Sequence, residues 1–381
     1  MEFHFQTPKP SCQASRRGIC YCQGFLMSID FCQSIRYSNV ADNFLPNILG
    51  ATSRYFTTTF TDRKEDIRAN FALLERAVAQ FDARFTLRAL RSISSLRKRL
   101  DQKTLCDVII SAYPAESDTA KTLIQAAGID SSMVKSMSEQ ASKLKANGSS
   151  TKSSVHDVAP EIDIYLAILI QVYLYDTGEF ERGAKFSMSM VDRIRELNRR
   201  TLDSLAARAW FYTALFFEQL DPKPPSPQSP VIALRRGLLG ALKSAVLRKD
   251  QETQAAVIVL LLRNYISTAD ITQADALVAQ TEFPTTAPNN QVARYLYYLG
   301  RIRAIQLSYT EAHEHLVSAT RKAPSSAVAA GFYQASMKFL VVVELLMGDI
   351  PERSVFSQPK LERSMEPYFR LVRAVRAGEM S

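Results

Sequence analysis

The sequence predicts an all-α protein, a TPR-like α-solenoid of helix hairpins, and three observations carry that expectation. Gly (13) and Pro (16) are scarce in 381 residues, well under the roughly 12% they usually supply together. A chain so poor in turn residues cannot join many short strands by tight hairpins. Residues 161–175 are apolar on nearly every side, with Ile162, Ile164, Tyr165, Leu166, Ile168, Leu169, Ile170, Val172 and Tyr173, the mark of a helix buried on several faces. A short turn pattern also recurs at a period of roughly 40 residues, the length of one two-helix unit in a solenoid array.

Composition sets the outer bounds. The hydrophobic share is 46% and the formal net charge +9, enough apolar matter for a large core and too much for general disorder. The length fits two or three domains at roughly 150 residues each. The longest uncharged apolar run, Ala255 to Leu262, falls far short of the roughly 20 residues a membrane-crossing helix needs, so no membrane partner is expected.

Residues 1–60 read as a poorly structured leader. Cys12, Cys20, Cys22 and Cys32 lie there, but their spacing lacks the paired C-x₂-C hooks of structural zinc sites. The acidic start at Glu2 and the short apolar stretch at 24–29 do not make a secretory signal. Arg16, Arg17, Arg36 and Arg54 among many Ser and Thr weakly fit a mitochondrial transit peptide. An unfolded leader, or a misassigned translation start, fits better.

Residues 61–130 read as N-terminal helices. Thr61 or Asp62 is placed to cap a helix, with Glu65 at the capping-box position for Asp62, and helices are expected over 67–80 and 85–100. A further pattern over 108–113 stops at Pro114, and one over 119–127 stops at Gly128. Cys106 fits a small buried hydrophobe. The segment 84–103 is the densest in positive charge, and Arg97, Lys98 and Arg99 are candidate partner-interface residues. Its Phe85, Leu87, Leu90, Ile93, Leu96 and Leu100 recur at helical spacing. The basic side is therefore a solvated or protein-contacting face, with a phosphate-binding patch or a membrane-surface role as alternatives.

Residues 131–160, rich in Ser and Lys, read as a flexible linker or loop, and His156 within it is assigned nothing. TPR-like repeats are expected over 161–285. Three turns share one pattern: Phe180 with Gly183, Ile271 with Ala274, and Tyr309 with Ala312. Each has a bulky residue followed one helical turn later by a small one, so that one group plugs the corner while the other lets the partner helix approach. The first interval is about twice the second, which calls for a missing corner near residue 222, where the Pro-rich stretch 221–230 cannot continue a helix. Gly348 to Ile350 is a later candidate corner. Leu202, Leu205, Ala206, Ala209, Thr213 and Phe216 form one helical stripe, and Val292, Tyr295, Leu296, Leu299, Ile302 and Ile305 another.

Catalytic signatures are missing from the sequence: no phosphate loop, dinucleotide fingerprint, nucleophile elbow or H-E-x-x-H occurs. His313 and His315 lie two apart and point to different sides of a helix, so they form no metal pair, and neither cofactor nor small-molecule substrate is expected. Arg294, Tyr297, Arg301 and Arg303 are further candidate partner-interface residues. Together with Tyr295 and Tyr298 they resemble a base-stacking platform, although core and partner-facing aromatics on one helix fit better and argue against a nucleic-acid partner.

Several blocks resemble one known family: FTLRALRSISSLRKRL at 85–100, LLRNY at 261–265, ARYLYYLGRIRAIQL at 293–307, VVELLMGDIP at 342–351, and the tail at 358–369 and 374–378. In that order they are similar to the non-ATPase regulatory subunit 3 family of the 26S proteasome, PCI-domain subunits of the regulatory particle lid. The resemblance runs over roughly 62–380. It implies a non-catalytic scaffold in cytoplasm and nucleus whose partners are other PCI subunits of the lid and which supports ubiquitin-dependent degradation. It also implies that residues 286–381 are the helical start of a PCI module, with the winged helix and long terminal helix of the family absent after Ser381. A signalosome-like PCI subunit and a stand-alone helical-repeat adaptor are the alternatives.

Overall fold

The computed structural model of the chain describes residues 58–113, 117–128, 159–324, 329–358 and 361–378. The expected leader over most of 1–60, its four cysteines and nearly all of the 131–160 loop with His156 lie outside these residues. Among the described residues every regular element is helical.

The N-terminal group comprises α1 (Thr58–Gln80), α2 (Ala83–Leu96), α3 (Gln102–Ala112) and α4 (Asp118–Ala126). The start of α1 at Thr58 corrects the cap expected at Thr61 or Asp62, because both positions lie inside the helix. The cap that sequence reading overlooked is Asp82. Its backbone is extended and its Oδ1 accepts the Arg84 N–H at 2.9 Å, satisfying one of the orphan donors at the start of α2. Cys106 is fully buried on α3, as expected.

α5 (Pro160–Thr177) opens on Pro160, whose missing N–H costs nothing at a first helical position. Tyr165, Leu166, Ile168, Leu169, Ile170 and Val172 have no exposed surface. The helix has no polar stripe because α1, α3, α4, α6 (Phe180–Leu197) and α7 (Asp203–Gln219) enclose it. Its buried carboxylates are partnered. Asp163 accepts the Tyr113 hydroxyl and an Arg193 Nη2 at 2.6 Å, and Glu161 accepts the Thr201 hydroxyl.

Hairpins then follow one another: α5 with α6, α7 with α8 (Pro230–Arg248), α9 (Gln251–Ser267) with α10 (Ile271–Gln280), and α11 (Asn289–Ile305) with α12 (Tyr309–Lys322). Each helix packs on the next, and the first helices pack side by side, α5 on α7, α7 on α9 and α9 on α11. That nearest-neighbour pattern defines a repeat array. The cores pass from one hairpin to the next in the same way. One cluster runs from α1 to α7, a second from α6 to α11, and a third from α11 onward through α13 (Ala330–Met347), α14 (Arg353–Phe356) and α15 (Glu362–Ala377).

The three corners that share a sequence pattern also share a backbone. Gly178 (φ 83°), Ala269 (φ 62°) and Leu307 (φ 67°) adopt left-handed conformation. The following Glu179, Asp270 and Ser308 have φ/ψ within a few degrees of one another, −81°/66°, −85°/64° and −85°/69°. Their N–H groups return to the carbonyls of Leu174, Tyr265 and Arg303 at 2.9–3.1 Å, closing the last turn of each first helix in the manner of a Schellman motif. The small residues behave as expected: Ala274 and Ala312 are fully buried, and Gly183 lies against Phe216. The corner expected near residue 222 is the loop between α7 and α8. At Gly348 (φ 91°) the Asp349 N–H bonds the Glu344 carbonyl in the same way, but Pro351 follows and the next helix starts only at Arg353.

Of the three hairpin corners only the first, at Gly178, carries glycine. A side chain in left-handed backbone costs roughly 1–2 kcal/mol, partly offset by the extra freedom that glycine loses on folding. Leu307→Gly and Ala269→Gly should therefore each raise stability by about 0.5–1 kcal/mol in denaturant titration, whereas Gly178→Ala should lower it by a similar amount. Leu307 is 70% exposed, so its removal sacrifices little packing.

Two sequence expectations are corrected. The α7 stripe is buried throughout, but on α11 the buried residues are Ala293, Tyr297, Leu299, Gly300 and Ile302, while Ile305 is 51% exposed. The inward face is rotated because Gly300 lets α12 approach, with Leu316 only 2.8 Å from where a Cβ would stand. Counting uncharged runs also passed over α13, which over 18 residues has a mean hydropathy of 1.3 and the length to cross a bilayer. It carries Lys338 and Glu344 and packs on α12 and α15.

Candidate functional site

α5, α7, α9 and α11 pack side by side, and cations from α7 and α11 meet at the ring of Phe211 on α7. The guanidinium of Arg208, one turn earlier, lies 6.0 Å from the ring centroid, and that of Arg294 on α11 lies 5.7 Å from it. Arg263 on α9 is close enough to act electrostatically on Arg294. It holds Glu218 of α7 at 2.5 Å, both side chains being mostly buried.

Charge in this region is one-sided. Burial pushes the Arg294 guanidinium below its ordinary range; the Tyr298 hydroxyl raises it, and the neighbouring Arg263 and Arg208 cations lower it further. Arg294 pairs with no carboxylate among the described residues. Burial likewise raises the Glu218 carboxyl, and Arg263 opposes that rise. Two guanidinium groups thus flank the Phe211 ring, with a third, Arg263, paired to Glu218 nearby. Planar cations of this kind recognise carboxylates through paired N–H donors, and their mutual repulsion is relieved when further carboxylates arrive.

The structure distributes the residues singled out in the sequence among different roles. Arg97 is committed within the chain: its Nε reaches Asp176 Oδ1 at 3.0 Å and Oδ2 at 2.7 Å, and the guanidinium lies 5.8 Å from the Tyr175 ring. It clasps the end of α2 to the end of α5. Lys98 is exposed and makes no ion pair among the described residues. Arg99 closes the short turn after α2, and its side chain lies outside the described residues. Arg294 lies over the Phe211 ring. Tyr297 is 5% exposed, with its ring edge-on to Tyr298, Phe332 and Phe339, which makes it core in place of a partner-facing platform. Arg301 lies 5.9 Å from the Tyr297 ring. Arg303 is also internal, bridging Asp275 and Glu311 at 3.1 Å each and so tying α10, α11 and α12 together. His313 meets Glu344 across α12 and α13 at 3.4 Å.

Sequence reading missed Arg208, Phe211, Glu218 and Arg263. Arg208, Phe211 and Glu218 share α7 and Arg263 lies on α9, and only the side-by-side stacking of first helices brings α9 to that cluster.

The family profile described as PSMD3-like, N-terminal TPR repeats, matches residues 59–372. The chain is 41% identical over 321 residues to the probable 26S proteasome regulatory subunit rpn3 of Schizosaccharomyces pombe, covering 83% of this chain and 60% of that protein. It is 37% identical over 317 residues to the 26S proteasome non-ATPase regulatory subunit 3 of Dictyostelium discoideum, with the same coverage. With the 26S proteasome regulatory subunit RPN3 of Saccharomyces cerevisiae the identity is 33% over 317 residues, covering 81% and 61%. The chain therefore spans about three fifths of the length of these relatives.

Proposed function

Since the chain belongs to the PSMD3-like family of proteins with N-terminal TPR repeats, we propose that it is a non-catalytic scaffold subunit of the 26S proteasome regulatory particle lid. In this reading it works in the cytoplasm and nucleus, in contact with other PCI subunits, and supports ubiquitin-dependent degradation without transforming a substrate of its own. The observation that carries the reading is the repeat array itself, whose first helices bring Arg208 and Arg294 to the Phe211 ring. An array whose helices are spent on packing against neighbours offers extended surface, and surface is what a scaffold uses.

The cationic surface around Phe211 is the docking surface of this proposal, and it suits a carboxylate-bearing segment of a lid neighbour. Reversing Arg208 and Arg294 together to Glu turns attraction into like-charge repulsion at a half-buried site, which costs several kcal/mol. The test is affinity purification of the tagged full chain from cells, with lid subunits quantified by mass spectrometry. The double variant should recover at least about tenfold less of them, with circular dichroism and the unfolding midpoint close to those of the unaltered chain. Undiminished recovery by the folded double variant would place docking elsewhere. Failure of the unaltered chain to recover any lid subunit would sink the scaffold assignment.

A further inference from the structure

The loop between α7 and α8 is unlike the other corners. Where Gly178, Ala269 and Leu307 turn the chain in two or three residues, residues 220–229 form a ten-residue connection without helix. Packing of the array needs no such length, since the other hairpins close without it, and irregular connections longer than packing requires tend to carry function. The stretch reads Asp221-Pro-Lys-Pro-Pro-Ser-Pro-Gln-Ser-Pro230, so both of its serines precede a proline.

The structure separates the two serines. Ser229 is 3% exposed at the start of α8, closed to any enzyme while the chain is folded. Ser226 is half-buried at the surface, flanked by exposed Lys223, Pro225, Pro227 and Gln228. Its hydroxyl accepts a single long bond, from the Gln228 N–H at 3.3 Å, and the Ser226–Pro227 peptide is trans. The proline after Ser226 offers no N–H and biases the serine toward extended backbone, which presents the hydroxyl for transfer chemistry.

We propose that Ser226 is a phosphorylation site for a proline-directed protein kinase, displayed by the α7–α8 loop. In the transfer, Ser226 Oγ attacks the γ-phosphorus of a nucleoside triphosphate held by the kinase. The new Oγ–P bond forms as the bond to the β-phosphate oxygen breaks, the hydroxyl proton passes to the kinase's carboxylate base, and nucleoside diphosphate leaves. The product adds about 1.5–2 negative charges to a loop whose only charged residues are Asp221 and Lys223. The Ser226 N–H bonds the Lys223 carbonyl at 3.2 Å, which keeps the backbone of that lysine close to the serine. The loop also leads into the N-terminus of α8, where negative charge is favoured. This inference stands apart from the scaffold reading.

The test treats the purified full chain with a cyclin-dependent kinase or a mitogen-activated protein kinase and ATP, and maps products by tandem mass spectrometry. The folded chain should gain phosphate on Ser226 and not on Ser229, whereas the chain unfolded in urea, diluted and assayed at once should gain it on both. Ser226→Ala should abolish the folded-state signal in this loop, Pro227→Ala should reduce it at least about tenfold, and Ser229→Ala should leave it unchanged. Phosphate on Ser229 of the folded chain, an unaffected Pro227→Ala variant, or no incorporation at Ser226 with either kinase would overturn the proposal.

Discussion

Gly183→Ala is expected to destabilise the chain by about 2–3 kcal/mol, a large effect for the addition of one methyl group. Gly183 lies in the first turn of α6, and a Cβ built there stands 2.2 Å from Phe216 Cε1 and 2.6 Å from two further ring carbons. Real Cβ atoms do not come so close, so the ring must retreat. It has nowhere to go: Phe216 has no exposed surface and meets Tyr175 edge-on with centroids 5.8 Å apart. Overpacking a filled core costs typically 1–3 kcal/mol, and the rigidity of an aromatic neighbour puts this case at the upper end. Phe216→Leu makes room. The pair Gly183→Ala and Phe216→Leu should therefore be less damaging together than the sum of the singles, with a coupling of about 1 kcal/mol or more in a double-mutant cycle. Denaturant titration reads all four corners of the cycle. Additive behaviour, or a single Gly183→Ala variant as stable as the parent, would show that the two helices do not approach as closely as described.

The same position shows why part of the fold was legible in sequence. A small residue one helical turn after a bulky one is a local pattern with a local cause, the closure of a hairpin, and it located three corners at 180, 271 and 309. The all-apolar run of α5 was legible for a similar reason, since burial on every side needs no knowledge of the neighbours' identity. The α11 stripe was misread because Gly300 rotates the helix toward α12, and a glycine's role depends on what approaches it. Ion pairs were the least legible. Arg97 and Arg303 look like surface cations in a basic run, yet their partners Asp176 and Glu311 are on other helices. Nothing in the spacing of Arg208, Arg263 and Arg294 marks them as neighbours. Family resemblance, by contrast, rests on blocks of sequence in order, and it placed the chain correctly before any contact was known.

Arg263→Met should cost about 3–5 kcal/mol at neutral pH, the typical penalty for stripping one partner from a buried ion pair. Glu218, mostly buried, would then remain without the guanidinium that holds it at 2.5 Å. The sign of the pH dependence follows from its carboxyl. Burial already raises the folded-state pKa above the ordinary value of 4.5, and Arg263 is what opposes the rise. Without Arg263 the folded-state pKa climbs further. A group raised on folding contributes its stability below its unfolded pKa and loses it as pH rises through the folded one. The variant's deficit should therefore shrink as the pH is lowered from 7 toward 4.5, as Glu218 takes up a proton in the folded chain. Replacing both partners, Glu218→Leu with Arg263→Met, removes the charge along with its counterion and should return stability to near the parent value at neutral pH. That double variant keeps Arg208 and Arg294 beside the ring, so it should still recover lid subunits in the affinity purification, unlike the Arg208 and Arg294 reversal. If recovery falls while stability is restored, the Glu218–Arg263 pair itself contacts the partner, and the docking surface extends from α11 across α9 to the end of α7.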